Sequence, residues 1–222
     1  MSDIRVIEVR QSVFEDNNRD ADRLRAQLKA EKTFLLNLMS SPGAGKTTML
    51  RQLAKALEGK IRWAVMEADI DSVVDAKAMQ DAGVHAIQIH TGGMCHLDAD
   101  MTRQGLSQLD RSKLDLVVLE NVGNLVCPAE FDTGAVVNMT ILSVPEGDDK
   151  PLKYPLMYET CDLLVINKID VLAHFDFDVD KASRNAKMRN PDIEVISICA
   201  KTGEGIERLA DWLMARVQAW NA

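Results

Sequence analysis

The sequence is short of cysteine, of basic charge and of long apolar runs, and each shortage removes a class of protein. Its four cysteines, Cys95, Cys127, Cys161 and Cys199, are too few and too widely spaced to staple 222 residues as a disulfide scaffold. They are expected to be thiols or metal ligands in a reducing compartment. No run approaches the roughly 18 apolar residues of a spanning helix, and Met1 to Gln11 lacks the uninterrupted apolar core of a secretory signal. The chain is therefore expected to be cytoplasmic, with no membrane partner. Lys and Arg number 26 against 34 Asp and Glu, a formal charge of −8, which disfavours generic attraction to nucleic acid or to an anionic bilayer. Any anionic ligand must be held by local groups. Repeats and low-complexity tracts are also missing, and ordinary apolar content at this length suits one large domain or one domain with a small appendage.

What is present is a series of short apolar runs that read as buried strands. They are Thr33 to Met39, Ile61 to Met66, Val84 to Ile89, Leu114 to Leu119, Val136 to Val144, Leu163 to Ile166 and Ile193 to Ile198. Amphipathic stretches separate most of them: Thr47 to Leu57, Ser72 to Asp81, Met101 to Leu109, Val179 to Met188 and Ile206 to Val217. This alternation predicts an α/β fold with a mainly parallel sheet of about seven strands flanked by helices. No helix pattern precedes Val136 to Val144, so an antiparallel edge or hairpin is expected there. Residues 1–32 read as a leading amphipathic helical segment, distinct in composition from 33–222. Pro145 to Pro155 holds three prolines and a glycine, and reads as a long loop.

The strongest motif is Ser40-Ser41-Pro42-Gly43-Ala44-Gly45-Lys46-Thr47-Thr48, between an apolar strand and an amphipathic helix. This is a P-loop in its proper setting, with Ser40 where the usual pattern has Gly. Gly43, Ala44 and Gly45 let backbone N–H groups curl around phosphates, Lys46 reaches the β and γ phosphates, and the Thr47 hydroxyl, beside Thr48, suits Mg²⁺. Asn167-Lys168-Ile169-Asp170 follows a second strand and matches the guanine-reading pattern of P-loop GTPases. The Asp170 carboxylate accepts from guanine N1–H and the 2-amino group, donors that adenine lacks there. Cys199-Ala200-Lys201 ends another strand and is similar to the Ser-Ala-Lys element, whose amide meets guanine O6. Glu120, ending the strand Leu114 to Leu119, suits Mg²⁺ or its waters, and the Gly123 amide is placed to sense the γ-phosphate. Asp69 is a second carboxylate for that edge, with Asp71 and Asp75 as rivals and helix capping as an alternative role.

Cys95-His96 follows Gly92-Gly93 at a strand end, and Cys127 lies four residues after Gly123. Two thiolates and an imidazole form a borderline-soft set suited to Zn²⁺ in tetrahedral or Ni²⁺ in square-planar geometry. Without further context, a Cys-His pair and one distant cysteine are more often unrelated core residues. Cys161 and Cys199, in or beside apolar runs, read as buried structural thiols.

Taken together, Asn37 to Thr48, Cys95-His96-Leu97-Asp98-Ala99, Glu120 to Pro128 and Pro145 to Pro155 resemble the hydrogenase nickel-incorporation GTPases called HypB, over nearly all of residues 4 to 219. The resemblance implies a SIMIBI-class P-loop G domain that hydrolyses GTP to GDP. It further implies a GTP-dependent homodimer and a metallochaperone role in [NiFe]-hydrogenase maturation, with Ni²⁺ or Zn²⁺ on Cys95, His96 and Cys127. A nickel chaperone of the HypA type and a hydrogenase large-subunit precursor are the implied partners. The urease nickel and cobalamin-enzyme GTPases share the nucleotide motifs but lack this Cys-His plus Cys-Pro arrangement. They remain alternatives, as does a P-loop kinase acting on a small acceptor. Residues 1–32 contain neither Cys nor His, so the N-terminal nickel store of better-armed family members is not expected within them. No arginine finger or water-positioning glutamine is assignable, and slow intrinsic turnover is expected.

Overall fold

The computed structural model describes residues 9–69 and 74–222. A 23-residue helix α1 (Val9–Glu31) leads into β1 (Phe34–Ser40), α2 (Lys46–Ala56), β2 (Trp63–Asp69), α3 (Val74–Asp81) and β3 (His85–His90). Then come α4 (Ala99–Leu106), β4 (Leu116–Glu120), the single turn α5 (Cys127–Glu130) and β5 (Val137–Ser143). The short helices α6 (Lys150–Lys153) and α7 (Pro155–Glu159) precede β6 (Leu163–Asn167), α8 (Val179–Lys187), β7 (Glu194–Ser197) and α9 (Ile206–Asn221). None of the helices among the described residues is long and apolar enough to cross a membrane.

The seven strands form one sheet in the order β3-β2-β4-β1-β5-β6-β7, and every neighbouring pair is parallel. Every residue of β1, β4 and β6 is buried, because helices cover both faces of a parallel sheet and leave no polar side. This accounts for their continuous apolar runs. One face packs Phe34, Leu36 and Leu38 of β1 with Met49, Leu50 and Leu53 of α2 and Leu209 and Leu213 of α9. The opposite face is divided: Leu24 and Leu28 of α1 and Leu106 of α4 cover β2 and β4, whereas Met157, Tyr158 and Ala182 cover β6.

Two expectations are corrected. β5 is neither an edge strand nor part of a hairpin, but lies parallel between β1 and β6. The chain reaches it from α5 through extended residues that cross the sheet, with Val136 N donating to Leu35 O at 2.9 Å, so no helical pattern announces it. Pro145 to Pro155 is not one long loop either. It folds as a 3-10 turn (Val144–Glu146), α6 and the start of α7, with each proline in a first turn, where a missing N–H leaves no bond unmade.

Residues 1–32 were set apart by composition, yet the α1 side chains Ala21, Leu24 and Leu28 are buried at 4% exposure or less. Lys29 also donates to the Trp220 carbonyl, and Glu31 pairs with Arg111 at 2.7 Å. Leu28→Ala is therefore expected to lower the free energy of unfolding of the whole chain by about 2–5 kcal/mol, read by chemical denaturation. An unchanged midpoint would mean that α1 contributes nothing to the core.

Candidate functional site

In a parallel sheet all strands end on one edge, and ligands bind where the strand order reverses direction. That point here is the end of β1, flanked by β4 on one side and β5 on the other. The P-loop leaves from it with Gly43 at φ +74° and Gly45 at φ +102°, left-handed values that an L side chain resists. Lys46 Nζ donates to Ser40 Oγ at 3.2 Å, so the serine in place of the usual first glycine supplies a rest for the ammonium. Ser41 donates to the Glu146 carboxylate, which also accepts from Ser143 N at 2.8 Å, joining the P-loop to the turn after β5.

A cavity of about 520 Å³ opens beside this loop, lined by Pro42, Gly43, Gly45 to Thr48, Glu67, Glu120 and the segment Asn121 to Gly123. Thr47 Oγ1 stands 3.4 Å from Glu120 Oε1, and the β2–β4 register sets Glu67 level with Glu120. A hydroxyl and two carboxylates are hard oxygen donors, the chemistry that Mg²⁺ takes. Glu67, 3% exposed, is absent from the sequence-based expectations. Its signal was an acidic residue inside an otherwise apolar strand. Asp69 ends β2 on the same edge, while Asp71 lies outside the described residues, as do the side chains of Asp69 and Asp75.

Next to this cavity, and sharing Gly45 and Thr48 with it, is a second of about 290 Å³ lined by Asn167, Lys168, Asp170, Cys199, Ala200 and Lys201. Asn167 joins the two. Its Nδ2 donates to Ala44 O at 2.9 Å, and its Oδ1 accepts from Ala200 N at 3.0 Å and Lys168 N at 2.7 Å. The Ala200 amide, expected to meet a base, is thus engaged by Asn167 and ties the β7 exit to the P-loop. Lys168, at φ +64°, reaches back to Gly43 O at 2.8 Å.

The loops of the expected metal ligands lie on the same edge. Cys95, at the end of the β3 loop, and Cys127, the first residue of α5, are both half-buried thiols, and the neighbouring Cys127, then burial, holds the Cys95 thiol above its ordinary range. The Cys95 Sγ lies 3.9 Å from His96 Nδ1, and the imidazole is stacked on the Phe131 ring at 3.9 Å with an 11° tilt. Burial lowers the His96 pKa and favours the neutral, ligand-competent ring. The expected ligands are neighbours, but among the described residues no three Cys, His, Asp or Glu side chains converge on one ion position. Cys161, fully buried, has its thiol pushed far up by desolvation and stays protonated.

An all-parallel sheet with a P-loop at its switch point and a base-sized pocket beside it defines a P-loop nucleotide-binding protein. The model of the CobW/HypB/UreG nucleotide-binding domain matches residues 34–197. Hydrogenase maturation factor HypB of Escherichia coli K12 is 45% identical over 213 residues, which cover 96% of this chain and 73% of that protein. Two solved structures superpose closely: HypB from Helicobacter pylori in complex with nickel, at 36% identity and TM-score 0.87, covering 92% of this chain and 96% of that one; and HypB from Archaeoglobus fulgidus, at 35% identity and TM-score 0.84, covering 91% and 99%. The chain belongs to the HypB family.

A Cβ on Gly45 would meet Asn167 Nδ2 at 2.5 Å and would sit on a left-handed backbone. Gly45→Ala is expected to disturb the phosphate cavity and the base pocket together, weakening GDP binding by roughly tenfold or more. Titration with a fluorescent guanine nucleotide measures it, and native affinity would separate Gly45 from both pockets.

Proposed function

We propose that the chain is a GTPase that couples GTP binding and hydrolysis to nickel handling during [NiFe]-hydrogenase maturation. In this reading 33–222 is the G domain and 1–32 its accessory helical segment. Gly43, Ala44 and Gly45 receive the phosphates on backbone N–H groups, and Lys46 turns from Ser40 to the β and γ phosphates. Asp170 chooses guanine by accepting from N1–H and the 2-amino group, while Asn167, Lys168, Ala200 and Lys201 wall the base pocket. Thr47, Glu120 and Glu67 hold Mg²⁺, with Asp69 on the same edge, and the ion supplies charge neutralisation at the β and γ phosphates. Water is the nucleophile, and turnover is expected below about one per second, as in unassisted small GTPases.

Nickel, or zinc in its stead, is taken as cargo by Cys95, His96 and Cys127. Met94 and Val126, 40% and 50% exposed, flank the two thiols, and such apolar cover suits a second copy of the chain in a GTP-dependent homodimer. A HypA-type chaperone and a hydrogenase large-subunit precursor are the corresponding donor and recipient. Free thiols suit a reducing, cytoplasmic setting.

The observation that carries this reading is the position of Gly123. It lines the phosphate cavity and is packed so closely on the P-loop that a Cβ there would meet Pro42 N at 3.2 Å. Four residues on, Cys127 is a neighbour of Cys95. A γ-phosphate that draws the Gly123 amide therefore pulls a metal ligand, and ligand distances tolerate only about 0.2 Å.

Two outcomes test this. Asp170→Ala is expected to cost about 2–3 kcal/mol of GTP affinity, and equal affinity of the unmutated protein for ATP and GTP would sink the base assignment. Nickel titrations followed by thiolate-to-metal charge-transfer absorption should differ between GDP and a non-hydrolysable GTP analogue by roughly 5- to 150-fold. Cys127→Ala should weaken nickel binding and erase that difference while leaving GDP affinity nearly unchanged. Identical nickel affinities in the two nucleotide states count decisively against a GTP-switched metal site.

A further inference from the structure

The two metal loops share a contact that the nucleotide does not reach. Asn17, on α1, spans them with one amide: its Oδ1 accepts from Ala99 N at 2.9 Å, and its Nδ2 donates to Asp132 O at 3.0 Å. Ala99 opens α4, three residues after His96. Asp132 follows Phe131, the ring on which His96 is stacked. One side chain thus fixes the distance between the stretch that carries Cys95 and His96 and the stretch that carries Cys127.

Phe14 stands three residues before Asn17, on the same helix face. Its ring backs Phe131 at 4.9 Å between centroids, completing a Phe14–Phe131–His96 series that runs from α1 to the imidazole. Further along α1, Arg25 grips both Asp132 oxygens, at 2.8 and 2.7 Å, and Leu24 closes over Gly134, where a Cβ would lie 2.8 Å from Leu24 Cδ2. The fork from Arg25 is bidentate and half-buried, the stronger form of such a pair. The C-terminal half of α1 is therefore anchored in the core, and its earlier turns lie across the loops.

We propose that α1 is a positioning clamp for the metal site, in which Asn17 and Phe14 hold the Cys95–His96 loop and the Cys127 loop at one separation. Metal affinity is then set from a helix that carries no ligand and touches no part of the nucleotide cavity. The proposal rests on Cys95 and Cys127 being the ligands. Groups that orient ligands from outside the coordination sphere typically account for 10- to 100-fold in metal affinity, because a ligand that must be pulled into place binds less well.

The test uses the full chain loaded with GDP and titrated with Ni²⁺ against a competing chelator, with the thiolate-to-nickel absorption band recorded throughout. Asn17→Ala is expected to weaken Ni²⁺ binding by roughly 10- to 100-fold and to shift the band, with GDP affinity unchanged. Phe14→Leu keeps both Asn17 bonds and is expected to weaken binding less, while Phe14→Tyr restores it. Arg23→Ala, on the exposed face of α1, should change neither quantity. Native Ni²⁺ affinity and band in both Asn17→Ala and Phe14→Leu would overturn the clamp. So would a loss of GDP affinity matching the loss of nickel affinity, since that marks a general structural role. An unaltered band in Cys95→Ala would instead overturn the ligand assignment on which the clamp depends.

Discussion

A one-residue slip of β4 against β1 would carry Glu120 away from Thr47 and turn every following residue to the opposite face of the sheet. A buried row of asparagines opposes that slip. Asn121 Nδ2 donates to Asn37 Oδ1 at 3.1 Å, Asn37 Nδ2 donates to Asn138 Oδ1 at 2.9 Å, and Asn138 Nδ2 ends the row on Thr160 O at 3.1 Å. Asn37 and Asn121 are each 1% exposed, so a slipped register would leave amides in an apolar layer, at about 1–3 kcal/mol for each unmade partner. Asn121 also accepts from Val122 N at 2.9 Å, which starts the loop toward Gly123 in a defined direction. The Gly123 amide, the Glu120 carboxylate and the Cys127 thiol all take their positions from where β4 stops.

From that edge the chemistry divides by hardness of ligand. Oxygen donors gather beside Lys46, where a polyphosphate with its hard cation belongs, and the thiols gather one loop away, under less polar cover. The short loop from Gly123 to Cys127 joins the two without mixing their donors. A coupling of 1 to 3 kcal/mol is typical between such sites, and linkage makes it reciprocal: whatever GTP does to nickel affinity, nickel does to the preference for GTP over GDP. Delivery of a metal needs this sort of coupling, because a site of fixed affinity either never fills or never empties.

Much of this was legible in the sequence, for physical reasons that differ by region. β1, β4 and β6 were plain because strands buried on both faces are mostly apolar along their length, with few polar residues such as Asn37. The P-loop and the Asn167 to Asp170 motif were legible as motifs because each is a set of particular residues at fixed spacing, and they fall at the ends of β1 and β6. β5 was misjudged because its neighbours come from distant parts of the chain and only four residues of helix precede it. The proline-rich stretch was misjudged because proline at a helix start looks the same in sequence as proline in a loop. Glu67 escaped notice since an acidic residue inside an apolar strand, though visible, does not by itself show whether it faces a cavity or solvent. The Asn17 bonds to Ala99 and Asp132 close 82 and 115 residues of separation, and no pattern in the sequence reports contacts of that range.

α1 shows how the two kinds of information combine. Its composition is that of a solvated helix, with acidic and basic residues paired three apart along its outer face, such as Arg23 with Asp20 at 3.1 Å. Exposed pairs of this kind contribute little to stability, and they give α1 no reason to lie in one place. What fixes it is the buried stripe Ala21, Leu24 and Leu28, together with Arg25 on Asp132. Since that stripe alone would seat the helix on the sheet, the polar contacts of Asn17 and the ring contact of Phe14 are not needed for docking. Both lie beyond the stripe, and both fall on the loops that carry Cys95, His96 and Cys127. A helix held in the core at one end and laid over the loops of Cys95 and Cys127 at the other would carry any shift of its first described turns to those loops, and it would do so while leaving the cavity beside the P-loop undisturbed.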